Sequence, residues 1–283
     1  MLSEAKIAEV IARALAEDLA RGDITTDILI SPGQQGIADI VAREAGILAG
    51  ADMAKRTFLG VDSVLKVDVW IADGSELNKD DVIASVEGNV ASILRAERVA
   101  LNFLQWLSGI ATQTNRYVKI VQGLPVQILD TRKTTPGLRS FEKYAVRMGG
   151  GVNHRMSLGD GVLIKDNHLE ILRHLGMTVN DVVTKARQGA PCQMKIEIET
   201  GTLQEVHEAL EAGVDIIMLD NMTLEDMHRA VEIAGGRVLL EASGGITLDK
   251  VRSVAETGVN FISIGALTHS FNALDINLSF NLS

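Results

Sequence analysis

The first half of the chain alternates between helical and extended hydrophobic patterns. Its first apolar positions recur every fourth residue, at Ile7, Ile11, Leu15 and Leu19. This spacing predicts an amphipathic helix over residues 4–20, which runs into a loop at RGDITTD. Runs typical of β-strands follow at residues 37–43, 64–71 and 81–88, with a helical segment near 52–59. We therefore expect mixed α and β structure in this part of the chain.

Residues 92–120 predict one long helix, which Ser108-Gly109 could interrupt. On a helical projection the segment is apolar on almost every side, which is typical of a buried helix. The exception is a narrow polar strip made by Arg95, Arg98, Asn102 and Gln105. Because burying unsatisfied polar groups is costly, we expect the strip to face a cavity, a partner chain or water.

After residue 125 the pattern changes to strand-then-helix units. Apolar runs typical of β-strands lie at 126–130, 161–165, 194–199, 215–220, 237–243 and 260–265. Helical patterns that end at glycine lie between the later runs, at 203–213, 223–236 and 247–258. These connections have room for a single crossover helix. The strands should therefore be parallel and covered by helices, as a barrel or a doubly wound sheet.

The positions of polar residues favour the barrel. At or just past the ends of the six runs lie Arg132, Lys133, Lys165, Glu199, Asp220, Ser243 and Gly265. That rim is where (β/α) barrels bind ligands. Six runs are fewer than the usual eight strands, so the barrel should be open or incomplete. Residues 275–283 alternate apolar and polar positions, which predicts a strand that could return to the first half.

The composition limits the possible functions. The 283 residues are 46% hydrophobic, enough for one large core or two moderate ones. A single cysteine, Cys192, excludes a disulfide framework and a cysteine-based zinc site. The net charge of −10 and the pI near 5.1 argue against nucleic acid and anionic membranes as partners. The charged N-terminal segment fits neither a signal peptide nor a membrane span, so we expect a soluble cytoplasmic protein.

Residues 130–168 carry the opposite charge to the rest of the chain. They contain seven Lys or Arg and four Asp or Glu, a net +3. His154, His168 and three glycines at 149–151 lie among these charges. One interpretation is a solvated basic loop. The glycines and histidines favour a pocket for a small anionic ligand instead, because arginine forks bind carboxylates and phosphates.

Two kinds of group should meet at the predicted rim. Cations suited to carboxylates or phosphates are Arg132, Lys133, His154, Arg155 and Lys165. Glu199 and Asp220 are acids that could hold Mg²⁺, ribose hydroxyls or a developing cation. Glycine-bearing turns at 242–247 and 263–270 each join a strand to a helix, and their backbone N–H groups could bind phosphate.

Other polar residues have simpler interpretations. Asp130 could orient Arg132 or act on a ligand. Positively charged residues at helical spacing suit a surface helix: Arg139, Lys143 and Arg147. Histidines in amphipathic helical patterns should face solvent: His174, His207 and His228. His168 and His269 are undecided, and the spacing of the histidines does not indicate a zinc site.

Eight motifs together point to a family. In chain order they are EDLARGDITTD, AERVALNFLQWLSGIAT, DTRKTTPGLRSFEKYAV, GGGVNHRMSLGDGVLIKDNH, IEIET, IMLDN, EASGGI and FISIGALTHS. Over nearly its full length the chain resembles quinolinate phosphoribosyltransferase, also called nicotinate-nucleotide pyrophosphorylase (carboxylating). The resemblance implies a reaction of quinolinate with phosphoribosyl pyrophosphate (PRPP) and Mg²⁺. The products would be nicotinate mononucleotide, pyrophosphate and carbon dioxide, in NAD synthesis.

The resemblance also implies a fold and an assembly. Family enzymes have an N-terminal α/β sandwich domain beside an open α/β barrel, and they form dimers whose sites borrow residues from the partner. On this basis we expect an α/β fold with the sandwich domain at residues 1–115 and the barrel domain, with the active site, at 116–274. Strand 275–283 would return to the first domain. No dedicated metal site is expected, since Mg²⁺ would arrive with the pyrophosphate.

Site residues follow from the same resemblance. The quinolinate carboxylates would be held by Arg132, His154, Arg155 and Lys165, with Arg98 supplied by the partner subunit of a homodimer. PRPP would contact Lys133, Glu199, Asp220, Ser243, Gly244, Gly245, Gly265 and Ala266. Three residues are expected to be catalytic: Glu199 and Asp220 near the ribose cation, and Lys165 as proton donor after decarboxylation.

Two other functions stay open on the sequence. A noncatalytic barrel could bind an anionic ligand without releasing pyrophosphate. A nicotinate phosphoribosyltransferase would use a monocarboxylate and need no decarboxylation. For such a ligand, a cluster as rich as Arg132, His154, Arg155 and Lys165 would be excessive.

Overall fold

The computed structural model describes residues 3–281, which pack into two units. The first unit contains the chain up to Asn115, the segment Ser140–Gly150 and the segment from Ser270 onwards. The second contains Arg116–Arg139 and Gly151–His269. No helix in the described part of the chain combines the length and the apolar character needed to cross a lipid bilayer.

The first unit begins with alternating helices and strands. In chain order these are α1 (Glu4–Asp18), α2 (Ile24–Leu29), β1 (Gln35–Ala42), β2 (Gly46–Ile47), α3 (Ala51–Val61), β3 (Lys66–Val69), β4 (Glu76–Leu77), β5 (Val82–Asn89) and α4 (Val90–Ile120), whose residues from Arg116 onwards group with the second unit. Two later elements complete the unit, α5 (Arg139–Met148) and β12 (Ile276–Phe280). Residues 282 and 283, which the sequence assigned to the last strand, lie outside the described residues.

Antiparallel pairing builds the sheet of the first unit. Four strands pair in the order β12, β1, β5, β3. Ala38 of β1 lies opposite Phe280 on one side and Val86 on the other. The buried face of the sheet packs against α3 and α4, where Phe58 and Leu101 belong to the same apolar core. One face of each strand is apolar because side chains alternate between the two faces of a sheet.

Helix α4 continues without a break through Ser108 and Gly109. Ser108 is buried, and its Oγ accepts a hydrogen bond from the backbone N–H of Ala49 (3.0 Å). A Cβ atom on Gly109 would lie 2.2 Å from the carbonyl oxygen of Asn272. The two residues are small because another segment approaches the helix closely there, so the expected interruption is wrong.

The polar strip on α4 is partly satisfied within the first unit. The Arg95 guanidinium forms an ion pair with Asp27. Gln105 Nε2 donates a hydrogen bond to the carbonyl oxygen of Ile276 (2.6 Å). Arg98 is exposed. The strip therefore meets helix α2, the backbone of β12 and water, and of these only water was among the expected surroundings.

The second unit alternates strands and helices. In chain order these are β6 (Gln127–Leu129), β7 (Val162–Ile164), α6 (Asp166–His174), α7 (Val179–Gly189), β8 (Ile196–Thr200), α8 (Leu203–Glu211), β9 (Ile216–Asp220), α9 (Leu224–Ala234), β10 (Leu239–Ser243), α10 (Val251–Glu256), β11 (Phe261–Ser263) and α11 (Ala266–His269). The strands form one six-stranded parallel sheet in the order β6, β11, β10, β9, β8, β7. Consecutive strands from β7 to β11 are therefore neighbours.

The parallel sheet curves around an interior cavity of about 320 Å³. Each strand contributes a lining side chain: Gln127, Val162, Glu197, Ile216, Glu241 and Phe261. Within the described residues the edge strands β6 and β7 do not pair with each other, and Leu129 of β6 forms a bridge with Val152 instead. The sheet is thus an open barrel. The expected fold class, an α/β chain with an open (β/α) barrel and a smaller N-terminal α/β domain, is confirmed.

Some details differ from the sequence expectations. The predicted loop at RGDITTD contains α2, whose first turn is capped by Asp23 accepting the Thr26 N–H (3.0 Å). Lys143 is fully buried in α5, so a surface position is wrong for it. Helical spacing places charges on one face but does not reveal whether that face is solvated. Residues 140–150 and 270–274, expected in the barrel domain, group with the first unit.

Replacing Gly109 with alanine should destabilise the protein. The added Cβ would meet backbone atoms of Asn272 and Ala273, which cannot rotate away, and such overpacking costs about 1–3 kcal/mol of unfolding free energy. Gly189 is the matched control, because it also lies in a helix and a Cβ there would meet nothing within 4 Å. Urea unfolding should show a lower midpoint for Gly109→Ala only. Equal midpoints for the two variants would contradict the packing argument.

Candidate active site

A cavity of about 460 Å³ lies at the carboxyl ends of the barrel strands. All six strand ends contribute to its lining, which consists of Thr131, Arg132, Lys133, His154, Arg155, Leu163, Lys165, Asp166, Glu199, Met218, Asp220, Glu241, Ser243 and Ser263. We call it the rim cavity, and the 320 Å³ space inside the sheet the interior cavity. Charged side chains of both signs dominate the rim cavity, as expected for a site that binds polar ligands.

The rim cavity brings together most residues that the sequence assigned to a site. These are Arg132, Lys133, His154, Arg155, Lys165, Glu199, Asp220 and Ser243. The glycine turns lie just beyond: Gly244 and Gly245 follow β10, while Gly265 and Ala266 follow β11, and none of the four is a lining residue. Arg98 is an exposed residue of α4 in the first unit and does not line this cavity.

Asp130, directly after β6, fixes the loop that carries His154. Its carboxylate is fully buried. Oδ2 accepts a hydrogen bond from Asn153 Nδ2 (2.6 Å), and Oδ1 accepts the backbone N–H of His154 (2.9 Å). The backbone N–H of Asp130 also donates to the carbonyl oxygen of Val152 (3.2 Å). Asp130 therefore orients this loop, a role that the sequence had not assigned.

The cations of the rim cavity differ in how they are held. Arg155 Nη1 donates to the carbonyl oxygen of Gly161 (3.0 Å). Burial, and then the charge of Arg132, lower the pKa of Arg155. The Nε of Arg132 is buried and has no hydrogen-bond partner among residues 3–281. Lys165 is half exposed and pairs with Glu199 Oε1 (3.2 Å). Two arginines that repel each other, one with an unpartnered N–H, favour an anion as ligand.

The two acids of the rim cavity are not equivalent. Glu199 is engaged at both oxygens, since Oε1 pairs with Lys165 and Oε2 accepts the backbone N–H of Asp166 (3.4 Å). Asp220 accepts a hydrogen bond at Oδ2 from Asn221 Nδ2 (2.8 Å). Its Oδ1 has no hydrogen bond to another residue that the structure describes. Asp220 is therefore the acid with an oxygen available to a ligand or an ion.

The remaining histidines have local roles. His168 Nδ1 accepts the backbone N–H of Lys165 (2.9 Å), which caps the start of α6. Three histidines are exposed on helices, as expected: His174, His207 and His228. His269 is exposed at the end of α11, with its ring close to Gly265. None of these five lines the rim cavity.

The turn after β10 combines a close approach with open space. Gly244 has a φ of +100°, and a Cβ there would lie 2.2 Å from Asn221 Oδ1. Only glycine adopts such a positive φ readily and also leaves room for the Asn221 side chain. Gly245 also has a positive φ (+56°), but a Cβ there would meet nothing within 4 Å. After β11, a Cβ on Gly265 would lie 3.0 Å from Lys133 Cδ. The turn after β10 thus has open space beside Gly245, whereas Lys133 and His269 lie close to Gly265 after β11.

Two glutamates lie between the rim cavity and the interior cavity. Side chains two residues apart on a strand share a face, so Glu197 points the same way as Glu199 on β8, and Glu241 the same way as Ser243 on β10. Glu199 and Ser243 line the rim cavity, Glu197 lines the interior cavity, and Glu241 lines both. Barrel interiors are usually filled by Val, Ile and Leu. Buried acids at this depth are therefore a departure that needs an explanation.

His154 connects the two buried glutamates. Its Nε2 lies 3.1 Å from Glu197 Oε2 and 3.5 Å from Glu241 Oε2. The side chain of Glu197 is 7% exposed and that of Glu241 is 1% exposed. The Oε1 atoms of both acids are buried without a hydrogen-bond partner in the described residues. One imidazole therefore lies beside two carboxyl groups, and the charge of Arg155 also acts on Glu197.

This cluster holds more protons at neutral pH than its three groups would apart. Burial lowers the pKa of His154, but hydrogen bonds to Glu197 and Glu241 and the charges of both acids raise it to about 9. Burial raises the pKa of Glu197, opposed by the hydrogen bond from His154 and helped by the charge of Glu241. Both pKa shifts reflect the same sharing of protons among the three groups. Two carboxylates this close in a buried site retain a proton between them and the imidazole.

The second nitrogen of the His154 ring locates that proton. Nδ1 accepts the backbone N–H of Arg155 (2.8 Å), which requires a lone pair. The ring therefore keeps a hydrogen on Nε2, which points at the two acids, and the retained proton is shared between this nitrogen and the Glu197–Glu241 pair. The ligand atoms of the three residues lie within 4.8 Å of one another, as a metal ion would require. Metal binding at Nε2 would need the hydrogen on Nδ1, where Arg155 already donates, so the cluster is unsuited to a metal.

The sequence missed three polar residues of this region. Ser263 Oγ is buried at the end of β11, lines the rim cavity and has no partner in the described chain. Glu197 and Glu241 had a usable signal, because each lies two residues before a residue that was assigned to the site. The two-residue period of a strand predicts that such neighbours point the same way.

Comparison with known proteins identifies the family. A model of the quinolinate phosphoribosyl transferase C-terminal domain matches residues 110–279, and a model of the N-terminal domain of the same family matches residues 23–108. The chain belongs to the quinolinate phosphoribosyltransferase family. The two matched segments correspond to the two halves in which the sequence patterns differ.

Individual members of the family are similar along their whole length. A "Probable nicotinate-nucleotide pyrophosphorylase [carboxylating]" of Bacillus subtilis is 43% identical over 268 residues, covering 94% of this chain and 91% of its own. A mitochondrial quinolinate phosphoribosyltransferase [decarboxylating] of Nicotiana glauca is 42% identical, covering 96% and 82%. The solved nicotinate-nucleotide pyrophosphorylase of Francisella tularensis has a TM-score of 0.94 at 40% identity, covering 99% and 98%.

Proposed function

We propose that this protein transfers the phosphoribosyl group of PRPP to quinolinate and removes one carboxylate of the product. The reaction gives nicotinate mononucleotide, pyrophosphate and carbon dioxide in NAD biosynthesis. The observation that carries the proposal is the rim cavity, where Arg132, Lys133, Arg155 and Lys165 converge in an otherwise acidic protein. Quinolinate has two adjacent carboxylates, and PRPP has a pyrophosphate and a 5′-phosphate. Such a pair of anions needs several fixed cations.

Quinolinate is assigned to the side of the cavity that carries the arginines. Arg132 offers a buried, unpartnered N–H, and Arg155 lies close enough for the two charges to repel. Lys165 adds a third cation. His154 lines the same wall, but both of its ring nitrogens are engaged. We therefore expect His154 to position Arg155 and the buried acids as much as to contact a carboxylate.

PRPP is assigned to the opposite side of the same cavity. Lys133 would meet a phosphate, together with the backbone of the turns at Ser243, Gly244 and Gly245 and at Gly265 and Ala266. The open space beside Gly245 supports this assignment. Glu199 and Asp220 would face the ribose ring, whose hydroxyls can donate to carboxylates.

Mg²⁺ is proposed to enter with the pyrophosphate. Magnesium in such sites keeps several waters and binds one or two carboxylates plus phosphate oxygens. Asp220 fits this role because its Oδ1 is not hydrogen-bonded within the described residues, whereas Glu199 is engaged at both oxygens. The ion would neutralise charge that develops on the leaving pyrophosphate.

The cavity can support both chemical steps. Breakage of the anomeric C–O bond builds positive charge on the ribose, which Glu199 and Asp220 would stabilise, while Lys133 stabilises the pyrophosphate. The ring nitrogen of quinolinate takes the ribose and becomes cationic. Loss of carbon dioxide from the adjacent carbon then leaves an electron pair that this cation stabilises. A proton must replace the carboxylate, and Lys165 and the Glu197–Glu241 pair are its two candidate donors at the cavity.

We further propose a homodimer in which Arg98 completes the partner's site. Arg98 is exposed and lies on the same helix as Arg95 and Gln105, which already have partners. An exposed arginine on such a helix is available to an anion bound elsewhere. We place the protein in the cytoplasm, a reducing compartment, and the exposed free thiol of Cys192 is compatible with this.

The proposed reaction is tested by product release. Purified protein is given PRPP, Mg²⁺ and either quinolinate or nicotinate, and carbon dioxide and pyrophosphate are both measured. We expect equimolar release of the two products with quinolinate and none with nicotinate. Pyrophosphate release with nicotinate alone would instead show a non-decarboxylating transferase. Binding of quinolinate without any product would indicate a noncatalytic binding protein.

Arg132→Ala should weaken quinolinate binding far more than PRPP binding. A hydrogen bond to a charged group contributes roughly 1.5–3 kcal/mol, so the dissociation constant for quinolinate should rise about tenfold to a hundredfold. Titration calorimetry with each substrate alone measures both constants. Arg229→Ala is the control, because Arg229 is an exposed arginine paired with Glu225 on α9. An equal loss of affinity for the two substrates would contradict the assignment.

Mixing two inactive variants should restore activity if Arg98 acts across a dimer. In a mixed dimer of Arg98→Ala and Lys165→Ala chains, one site keeps both residues. Roughly a quarter of wild-type activity is expected after random exchange. Mixing Arg132→Ala with Lys165→Ala is the control and should restore nothing, since both residues line the cavity of one chain. Failure of the first mixture would place Arg98 in its own chain's site or outside any site.

A further inference from the structure

We propose that the Glu197–Glu241 carboxyl pair supplies the proton that replaces the carboxylate lost from the pyridine ring. The inference rests on the proposed function and assigns one step of it. It makes Glu241 the acid that faces the substrate and Glu197 the buried group that shares its proton. Neither residue belongs to the sets of cations and acids that the sequence assigned to substrate binding.

Position is the first argument. Glu241 lines both the rim cavity and the interior cavity, so it lies at the boundary that a pyridine bound in the rim cavity would approach. Arg132 and Arg155, the groups best suited to the carboxylates of quinolinate, line the same rim cavity. Glu197 lies behind this boundary, on the interior side, within reach of the same His154 nitrogen. A proton on this pair is therefore close to the ligand and shielded from bulk water.

The hydrogen-bond arrangement is the second argument. His154 donates its single Nε2 hydrogen towards two carboxyl oxygens, while Arg155 occupies Nδ1. Both Oε1 atoms remain buried and unpartnered in the described chain. Two like charges this close in a buried pocket repel each other, so the two carboxyl groups and the imidazole keep a proton between them. The other charged residues that line the interior cavity are Arg155, Asp160 and Lys195.

Lys165 is a weaker candidate for the same step. Its side chain is 46% exposed, and its ammonium pairs with Glu199 at 3.2 Å. An ammonium is also intrinsically the weaker acid, since the ordinary pKa is about 10 for a lysine and about 4 for a glutamic acid. A carboxyl group that keeps a proton beside a second carboxylate is therefore still the better proton donor of the two.

The step balances without a further reactant. The bond between ring carbon 2 and its carboxylate breaks, carbon dioxide leaves, and the electron pair stays on the carbon next to the ribosylated nitrogen. That carbon takes the proton from Glu241, which forms the C–H bond and leaves both carboxyl groups ionised. Two ionised groups in this pocket repel each other. The pair therefore takes up a proton from water once the product leaves, which prepares the next turnover.

The decisive measurement is the ratio of carbon dioxide to pyrophosphate. Glu241→Gln keeps the size and hydrogen-bonding ability of the side chain but removes its acidic proton. We expect pyrophosphate release to continue while carbon dioxide release falls by roughly 10²- to 10⁴-fold, the usual contribution of a general acid. The ribosylated dicarboxylate should accumulate and can be detected by mass spectrometry. Glu241→Asp, which keeps an acid, should recover part of the carbon dioxide release.

Controls separate this outcome from a structural defect. Glu87→Gln changes an exposed glutamate on β5 of the first unit and should keep the two products equimolar. Glu197→Gln repeats the test from the other member of the pair and serves if Glu241→Gln does not fold, as judged by its melting curve. Equal loss of both products in the Gln variants, or equimolar products in both, would overturn the proposal. A wild-type protein that never releases pyrophosphate from PRPP and quinolinate would instead overturn the proposed function.

Discussion

Burying the carboxyl groups of Glu197 and Glu241 removes them from water, at a cost of several kcal/mol for each ionised group. The contacts that offset this cost come from His154, which reaches both acids through one nitrogen. Its ring can do so only while its loop is held, and Asp130 holds that loop through Asn153 and the His154 backbone. The polar interior of the barrel thus depends on one aspartate at the end of its first strand.

The same constraint explains how the rim cavity is organised. The loop that carries His154 also carries Arg155, whose backbone N–H is used by the ring and whose guanidinium faces the cavity. A substitution of Glu197 or Glu241 would therefore alter the position of Arg155 in the rim cavity through the backbone of this loop. On β8 and β10, residues two positions apart line the two cavities. Glu197 and Glu241 line the interior cavity, and Glu199 and Ser243 line the rim cavity. Each of these two strands therefore supplies one group to each cavity.

Much of this arrangement could be predicted from the sequence, for a geometric reason. Parallel strands end at one edge of a sheet, so Lys165, Glu199 and Asp220 could be placed together before any coordinates were known. Whether a charged side chain is buried inside the fold could not be predicted in the same way. Lys143 has the spacing of a surface residue and is buried, because spacing does not show which face packs against another segment. The motif Ser108-Gly109 resembled a helix break for the same reason.

The open edge of the barrel has a consequence for how such a site can change. In a closed barrel the innermost side chains come from strands that pack on both faces, where substitutions are costly. Here Val152 bridges to Leu129 beside the gap, and the next residues bring His154 into the interior from a loop. Loops tolerate sequence variation better than strands. Mutant libraries confined to residues 151–155 could therefore reshape the chemistry at the centre of the barrel while leaving its strands untouched.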